Sequence, residues 1–170
     1  ERPTTEPNGV EVQIPARHGD HFDSLASKFF QYWKPGTVLV NGEEPFTIDT
    51  QRITDRVHTV SRGRPSYGEE RDILVMGGVS YPCRLPDVDL PYGHGFVCFV
   101  NIGEVTFTPS REALRDTKNT KDALASLRTE YVDHVNAAAQ AEIDSAKTPG
   151  AALRALVKWQ ASIPRNVQRP

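Results

Sequence analysis

The spacing of apolar and polar positions predicts a strand and then a helix at the start of the chain. Apolar and polar residues alternate over 8–15, the period of two that is typical of a half-buried strand between turn residues. From Asp20 onward the apolar positions follow the helical spacing i, i+3, i+4, i+7, and Pro35 ends the run. We therefore predict an amphipathic helix over 20–33 that is capped by Asp20. The side chains expected to be buried are Phe22, Leu25, Phe29 and Phe30.

The middle of the chain is predicted to be mostly sheet. Short pieces rich in β-branched residues continue to about Val60, and the polar stretch 61–70, SRGRPSYGEE, predicts a surface loop. Two further strand regions follow, 72–83, which a Gly-Gly pair interrupts, and 95–103.

The last third of the sequence changes to helix formers. Thr120 is the predicted cap of a long helix, and Thr148-Pro149 is expected to open a final one. The residues expected to point inward are Leu124, Leu127, Tyr131, Val135 and Ala138 in the first helix, and Leu153, Leu156 and Val157 in the second. A strand and a helix, then several strands, then helices together predict an α+β domain.

Composition places the chain among folded proteins. It holds 20 Lys and Arg against 22 Asp and Glu, a net charge of −2, with 38% hydrophobic residues, which excludes global disorder. No apolar run reaches the ~18 residues of a membrane span, and the first residues lack the apolar core of a secretory signal. We expect a cytoplasmic protein whose cysteines, Cys83 and Cys98, are reduced and buried. Because the only methionine is Met76, the sequence is expected to be a fragment of a longer protein.

Motifs for a self-contained catalytic site are missing. The sequence has no GxxxxGK[ST] or GxGxxG phosphate loop, no HExxH metal motif and no GxSxG nucleophile elbow. His18 and His21 have no third ligand at ordinary spacing, so no metal site is predicted. Arg62 and Arg64 are compatible with nucleic-acid contact, but the adjacent glutamates and the acidic balance of the chain argue against nucleic-acid binding.

The end of the chain has a different charge balance. Residues 147–170 hold five basic and no acidic residues beside the apolar stripe of the final helix. Such a helix can bind a protein partner, an anionic lipid surface or nucleic acid, or it can be a surface helix that continues into a further region. One function class is therefore a non-enzymatic interaction module that presents a basic amphipathic helix.

The sharpest chemical signal lies in residues 101–124, NIGEVTFTPSREALRDTKNTKDAL. A strand that runs into Thr-Pro-Ser predicts that Arg111 stands in the first turn of a helix, where its charge opposes the positive end of the helix dipole. That local cost favours a functional explanation, such as binding of phosphate oxygens by the guanidinium donors. A packed or salt-bridged arginine is the alternative.

At these residues the chain resembles a known group of proteins. EVTFTPSREAL, residues 104–114, is similar to the middle domain of the ninety-kilodalton heat-shock chaperones, in which a strand leads into a Ser-Arg-Glu-x-Leu helix start. TEPNGVEVQIP, the aromatic helix, MGGVSYPC and TPSREALRDTKNTK together, in this order, resemble RIIA-like proteins of bacteriophages, which belong to the GHKL ATPase superfamily. The similarity covers about residues 5–145.

The resemblance implies an organisation, a fold and a role. Residues 1–36 would be a junction strand and linker helix from an upstream ATP-binding domain. Residues 37–146 would be a transducer-type domain similar to the ribosomal-S5 second-domain fold, with a mixed sheet packed against helices, and 147–170 a basic helix leading to a further region. In the chaperones the arginine of Ser-Arg-Glu reaches the γ-phosphate of ATP held by the neighbouring domain. That role falls on Arg111, with a weaker second contact from Arg115.

The cofactors implied by the resemblance are ATP and Mg²⁺, bound by the parent protein. The superfamily's ATP-pocket motifs, such as the Asp-x-Gly-x-Gly loop, are absent from the sequence, so this chain alone is expected neither to bind nor to hydrolyse ATP. The implied partners are the upstream ATP-binding domain and, in the parent protein, a second copy in a homodimer. The location that the resemblance implies is the host cytoplasm. The basic C-terminal helix is in addition compatible with peripheral membrane association.

Overall fold

Three helices and five strands form the part of the chain that the computed structural model describes, residues 22–45, 47–61, 72–88, 90–110 and 112–160. The elements are α1 (Phe22–Phe30), β1 (Gln51–Arg52), β2 (Val57–Ser61), β3 (Asp72–Met76), β4 (Val79–Cys83), β5 (His94–Val100), α2 (Lys118–Asp144) and α3 (Pro149–Gln160). The predicted strand over 8–15, the Asp20 cap, the two N-terminal histidines and most of the 61–70 loop lie outside the described residues.

The strands form one mixed sheet in the order β1-β2-β5-β3-β4. Strand β3 pairs in parallel with β5, with Leu74 opposite Cys98, whereas the pairings of β1 with β2, β2 with β5 and β3 with β4 are antiparallel. The predicted α+β class is confirmed. The predicted break at Gly77-Gly78 is the turn of the β3–β4 hairpin, where these glycines have left-handed φ values of 59° and 84°.

One face of the sheet packs against α2. The buried cluster there includes Phe96 from β5 and Tyr131 from α2, whose rings meet edge to face with their centroids 4.9 Å apart. The predicted inward face of α2 is confirmed at its most buried positions, Leu127, Tyr131 and Val135.

Helix α2 begins before Thr120, so the prediction that Thr120 caps it was wrong. Thr117 is the cap, and its side-chain oxygen accepts the backbone N–H of Thr120 at 3.3 Å. Thr120 is instead buried in the first turn, where its hydroxyl oxygen accepts the backbone N–H of Thr106 at 3.2 Å. Two threonines three residues apart can each serve as a cap, and the contact with Thr106 fixes which one does.

The opposite face of the sheet carries a smaller cluster. Val60, Val75 and Val97 are buried there and pack against Tyr32 and Ile48, among others. Both of these belong to the segment between α1 and β1, which has no long regular element. Irregular chain therefore supplies much of the cover of this face.

Helix α1 does not bury the stripe that its periodicity predicts. It ends at Phe30 rather than Trp33, and Phe22, Leu25 and Phe29 are 54%, 61% and 51% exposed. The prediction of burial was wrong at these three positions. The fourth residue, Phe30, is half-buried and packs on Trp33 with ring centroids 5.2 Å apart. The tryptophan itself lies against the hairpin turn of β3 and β4.

Helix α3 is turned the opposite way from the prediction. Leu153, Leu156 and Val157, expected inward, are 61%, 43% and 59% exposed. The buried side instead consists of Ala155 and the half-buried Trp159, and α3 packs there against α2. A small alanine lets the two helices approach closely, and the indole N–H of Trp159 donates to Glu142 of α2 at 2.6 Å. These contacts fix the rotation of α3.

Both cysteines are reduced thiols buried in the core, as predicted. Burial raises the pKa of Cys98 to about 12, with a further upward contribution from the nearby carboxylate of Asp72. Cys98 is therefore a neutral packing residue rather than a nucleophile. In the part of the chain that the structure describes, no helix is both long enough and apolar enough to cross a bilayer.

Candidate functional site

The connection between β5 and α2 contains the candidate arginines, and the described residues of the stretch 107–114 form a loop that is closed at its base. Phe107 and Leu114 pair as an isolated antiparallel bridge, and the backbone N–H of Thr108 donates to the carbonyl oxygen of Ala113 at 2.8 Å. The Thr108 hydroxyl oxygen also accepts the backbone N–H of Ala113 at 3.3 Å and lies 3.1 Å from Ser110 Oγ. We call residues 107–114 the arginine loop.

The prediction that a helix begins around Arg111 was wrong for the described residues there. The described residues on either side of it are not helical, and α2 starts only at Lys118. The reason is local competition, since the hydroxyl of Thr108 and the bridge at the base of the loop satisfy backbone groups that a helix would otherwise pair.

Arg111 itself lies outside the described residues, but both of its neighbours are placed. Ser110 and Glu112 are exposed at the end of the arginine loop furthest from the Phe107–Leu114 bridge. The solvent exposure of Arg111 stays a prediction.

Arg115 directly follows the arginine loop, and its side chain is exposed. Its backbone N–H donates to the carbonyl oxygen of Thr106 at 2.7 Å, which anchors the main chain. Its guanidinium has no hydrogen bond or ion pair with any residue that the structure describes. The structure therefore leaves Arg115 available to an anion.

Three threonine side chains join the base of the arginine loop to the start of α2. The hydroxyl of Thr117 lies 3.3 Å from that of Thr106 and 3.0 Å from that of Thr120. Thr120 is 4% exposed, and these hydroxyl groups satisfy one another in a half-buried setting. The residues that flank the arginine loop are thereby tied to the capped end of α2.

The stretch of sequence that leads into α2 is mainly positive. Residues 111–121 contain four basic and two acidic side chains. The first turn of α2 has no acidic residue, so the positive end of the helix dipole adds to the field. One of the lysines, Lys121, is paired with Asp116 at 3.0 Å, but both side chains are strongly exposed and the pair is weak.

A network centred on Arg56 lies on another side of the same end of α2. Arg56 stands between Glu104, at 3.7 Å, and Glu130, at 3.8 Å. Asn101 donates its side-chain amide to Glu104 at 2.9 Å, and this hydrogen bond holds the pKa of Glu104 below its usual range. The second carboxylate, Glu130, accepts a hydrogen bond from the hydroxyl of Thr54. Both carboxylates are thereby fixed in place around the guanidinium.

Arg56 also borders a shallow, open depression of about 350 Å³. Its Nε is buried and has no hydrogen-bond partner among the residues that the structure describes. The other polar side chains on the wall are Glu104 and three residues of α2, Asn119, Asp122 and Ser126. Sequence reasoning missed this network because its members come from three separate stretches, each of which is an ordinary polar turn or helix surface.

No metal centre is found in the described part of the chain, where no three His, Cys, Asp or Glu side chains lie together in a way that could hold an ion. His58 packs on the ring of Phe99 with centroids 4.9 Å apart, and its Nδ1 lies 2.9 Å from the hydroxyl of Thr50. Burial, and then the positive charge of Arg52, lower the pKa of His58. This histidine is neutral near pH 7 and has a packing role.

Comparison with known proteins gives no relative from which a role can be transferred: no family model, no curated protein and no solved structure matches the chain.

Proposed function

We propose that this chain is a transducer-type domain, as in RIIA-like GHKL ATPases, and that it brings Arg111 to the γ-phosphate of ATP held by a separate nucleotide-binding domain. The observation that supports the proposal is the position of Ser110 and Glu112 at the exposed end of the arginine loop. We expect an arginine between two such residues to be within reach of a second domain, whereas one in the interior of a helix would be tied to that helix.

Electrostatics support the same role. A guanidinium carries a permanent charge and presents a planar fork of donors that matches phosphate oxygens. The basic residues around the start of α2 and the helix dipole favour the approach of a polyanion such as a nucleoside triphosphate. Arg115, whose guanidinium is unpaired among the residues that the structure describes, is the second candidate contact.

The hydrogen bonds at the base of the arginine loop support a role in transmitting movement from the loop to helix α2. Arg115 and Thr117 tie the loop to Thr106 and to the cap of α2. Helix α2 spans 27 residues and packs on both the sheet and α3. When the arginine loop closes on a phosphate, the displacement is passed to the start of this helix. The free energy of phosphate binding at one end of the domain is thereby coupled to movement at the other end.

The test is the ATPase rate of a protein that joins this chain to its nucleotide-binding domain. Arg111→Ala should lower the rate by about 10²-fold or more and leave ATP affinity within a few-fold, because the contact forms mainly in the reacting state. The matched control is Arg52→Ala, which removes another surface arginine, one that is paired with Asp55 on its own turn. Unchanged turnover in Arg111→Ala would refute the proposal.

The chain by itself supplies a second check. It should give no heat of ATP·Mg²⁺ binding at sub-millimolar nucleotide, because one arginine loop cannot hold a nucleotide without an adenine pocket. A one-to-one isotherm with the chain alone would also contradict the transducer role.

A further inference from the structure

Helix α3 has two apolar sides, and only one of them is used within the described part of the chain. The side formed by Ala155 and Trp159 packs inward, while the exposed side carries three aliphatic residues. Those residues, Leu153, Leu156 and Val157, stand at i, i+3 and i+4, so they form one continuous stripe along the helix. We call this stripe the outer stripe of α3. It is independent of Arg111 and of the nucleotide proposal.

Positively charged side chains that have no acidic partner among the described residues accompany the outer stripe. Arg154 lies within its span, and neither Arg154 nor Lys147 makes an ion pair or hydrogen bond with a residue that the structure describes. The remaining basic residue of the helix, Lys158, differs because it donates to Glu142 at 2.9 Å. The sequence from 147 to 170 adds no acidic residue that could neutralise Arg154.

From these observations we infer that the outer stripe of α3 docks an amphipathic helix of a partner protein whose apolar face is flanked by acidic side chains. The i, i+3, i+4 spacing is the anchor pattern of helix recognition. The stripe faces away from α2, so an added helix would extend the α2–α3 pair as a third member at the usual interaxial distance of about 8–10 Å. Acidic flanks would meet the uncompensated Arg154 and Lys147, which sets the charge of the partner.

The chemistry of the stripe favours a helix over a lipid surface. Interfacial membrane helices use a long apolar face with aromatic side chains and many free cations. Here the face spans little more than one turn, its aromatic residue Trp159 is turned inward, and Lys158 is already paired. A short aliphatic stripe beside Arg154 and Lys147 matches in length one row of apolar side chains on a single partner helix.

The experiment titrates the isotope-labelled chain with a synthetic helical peptide of about 20 residues, long enough to hold a helix. Its leucines stand at i, i+3 and i+4 and its flanks are glutamates, and a matched peptide carries lysines in place of the glutamates. The acidic peptide should shift the amide resonances of α3 and bind at least about tenfold more tightly than the basic one.

Three variants locate the contact. Leu156→Glu should abolish binding, and Arg154→Glu should reverse the preference between the two peptides. Phe29→Glu, which alters the exposed stripe of α1 instead, should leave binding unchanged. The circular dichroism of each variant should match that of the parent chain, because all three side chains are exposed.

Several results would overturn the inference. These are the absence of resonance shifts at about 1 mM peptide, equal affinity for the two peptides, or shifts confined to α1. Sedimentation of the chain with vesicles of anionic lipid in a Leu156-dependent way would assign the stripe to a membrane. Self-association that Leu156→Glu abolishes would assign it to a second copy of the chain.

Discussion

Helix α2 covers one face of the sheet with a row of side chains, whereas the cover that the described residues supply to the other face comes from the irregular segment between α1 and β1. The first face buries aromatic and aliphatic residues from nearly every strand, and the second buries Val60, Val75 and Val97. Adjacent residues of β3 illustrate the difference, because Leu74 points to the large cluster and Val75 to the small one. Three valines are thus buried on the second face, while most of the packing lies on the first.

This difference has consequences for how each face responds to damage. Side chains locked between a sheet and a long helix have few ways to close a cavity, so a truncation there leaves empty volume. Segments without regular hydrogen bonding can shift by small amounts and fill part of the space. The second face should therefore tolerate truncation better than its degree of burial indicates.

The largest effect is expected from one substitution made on each face. Val57 and Val97 are both 0% exposed, but Val57 belongs to the α2 cluster and Val97 to the opposite one. Val57→Ala should lower the free energy of unfolding by about 2–3 kcal/mol and Val97→Ala by about 1–2 kcal/mol. Urea denaturation of the two variants measures both values. Equal losses would mean that the irregular cover is as rigid as α2.

A smaller effect is expected at the hairpin turn that Trp33 covers. Gly78 has φ of 84°, and a Cβ there would lie 2.8 Å from the indole Nε1, so Gly78→Ala combines backbone strain with a clash. Gly42 has φ of 85° but open space around it, so Gly42→Ala shows the strain alone, about 1 kcal/mol. Gly78→Ala should cost about 1 kcal/mol more than Gly42→Ala. Identical thermal midpoints would show that Trp33 moves aside freely.

The smallest effect concerns pH and the second face. The pKa of His58 is lowered in the folded chain by burial and by Arg52, so the unfolded chain binds a proton more readily. Stability from this residue is present above the unfolded pKa of about 6.5 and is lost as pH falls below it, towards the lowered folded value. The urea midpoint should therefore fall less between about pH 7.5 and pH 5.5 in His58→Gln than in the parent chain. The same fall of the urea midpoint in both proteins would contradict a lowered pKa of His58 in the folded chain.

The helices show how far periodicity predicts packing. Helix α2 has one apolar side, and Leu127, Tyr131 and Val135 were predicted correctly. Helix α3 has two, and the spacing of its larger residues identified the outer one. Which side packs inward depends on the fit of alanine against α2 and on the hydrogen bond between Trp159 and Glu142. The two residues of that hydrogen bond are 17 positions apart in the sequence. A local pattern cannot contain that information.

The candidate site was predictable only as a short stretch of sequence. The Ser-Arg-Glu motif predicts Arg111 as the candidate residue. The predicted helix start was wrong, because Thr108 and the Phe107–Leu114 bridge close a loop instead. The Arg56 network was missed entirely. Its acidic members, Glu104 and Glu130, are 26 positions apart in the sequence and meet only when α2 packs on the sheet.

The strand order has a consequence for the synthesis of the chain on the ribosome. Strand β5 lies between β2 and β3, so neither of these inner strands has its full set of neighbours until residue 100 has been translated. The β3–β4 hairpin can form early because its contacts are local, but β2 then stands with one open edge and must keep a gap for β5. A nascent chain stalled after β4 would expose two unsatisfied strand edges, the form most open to aggregation or chaperone capture.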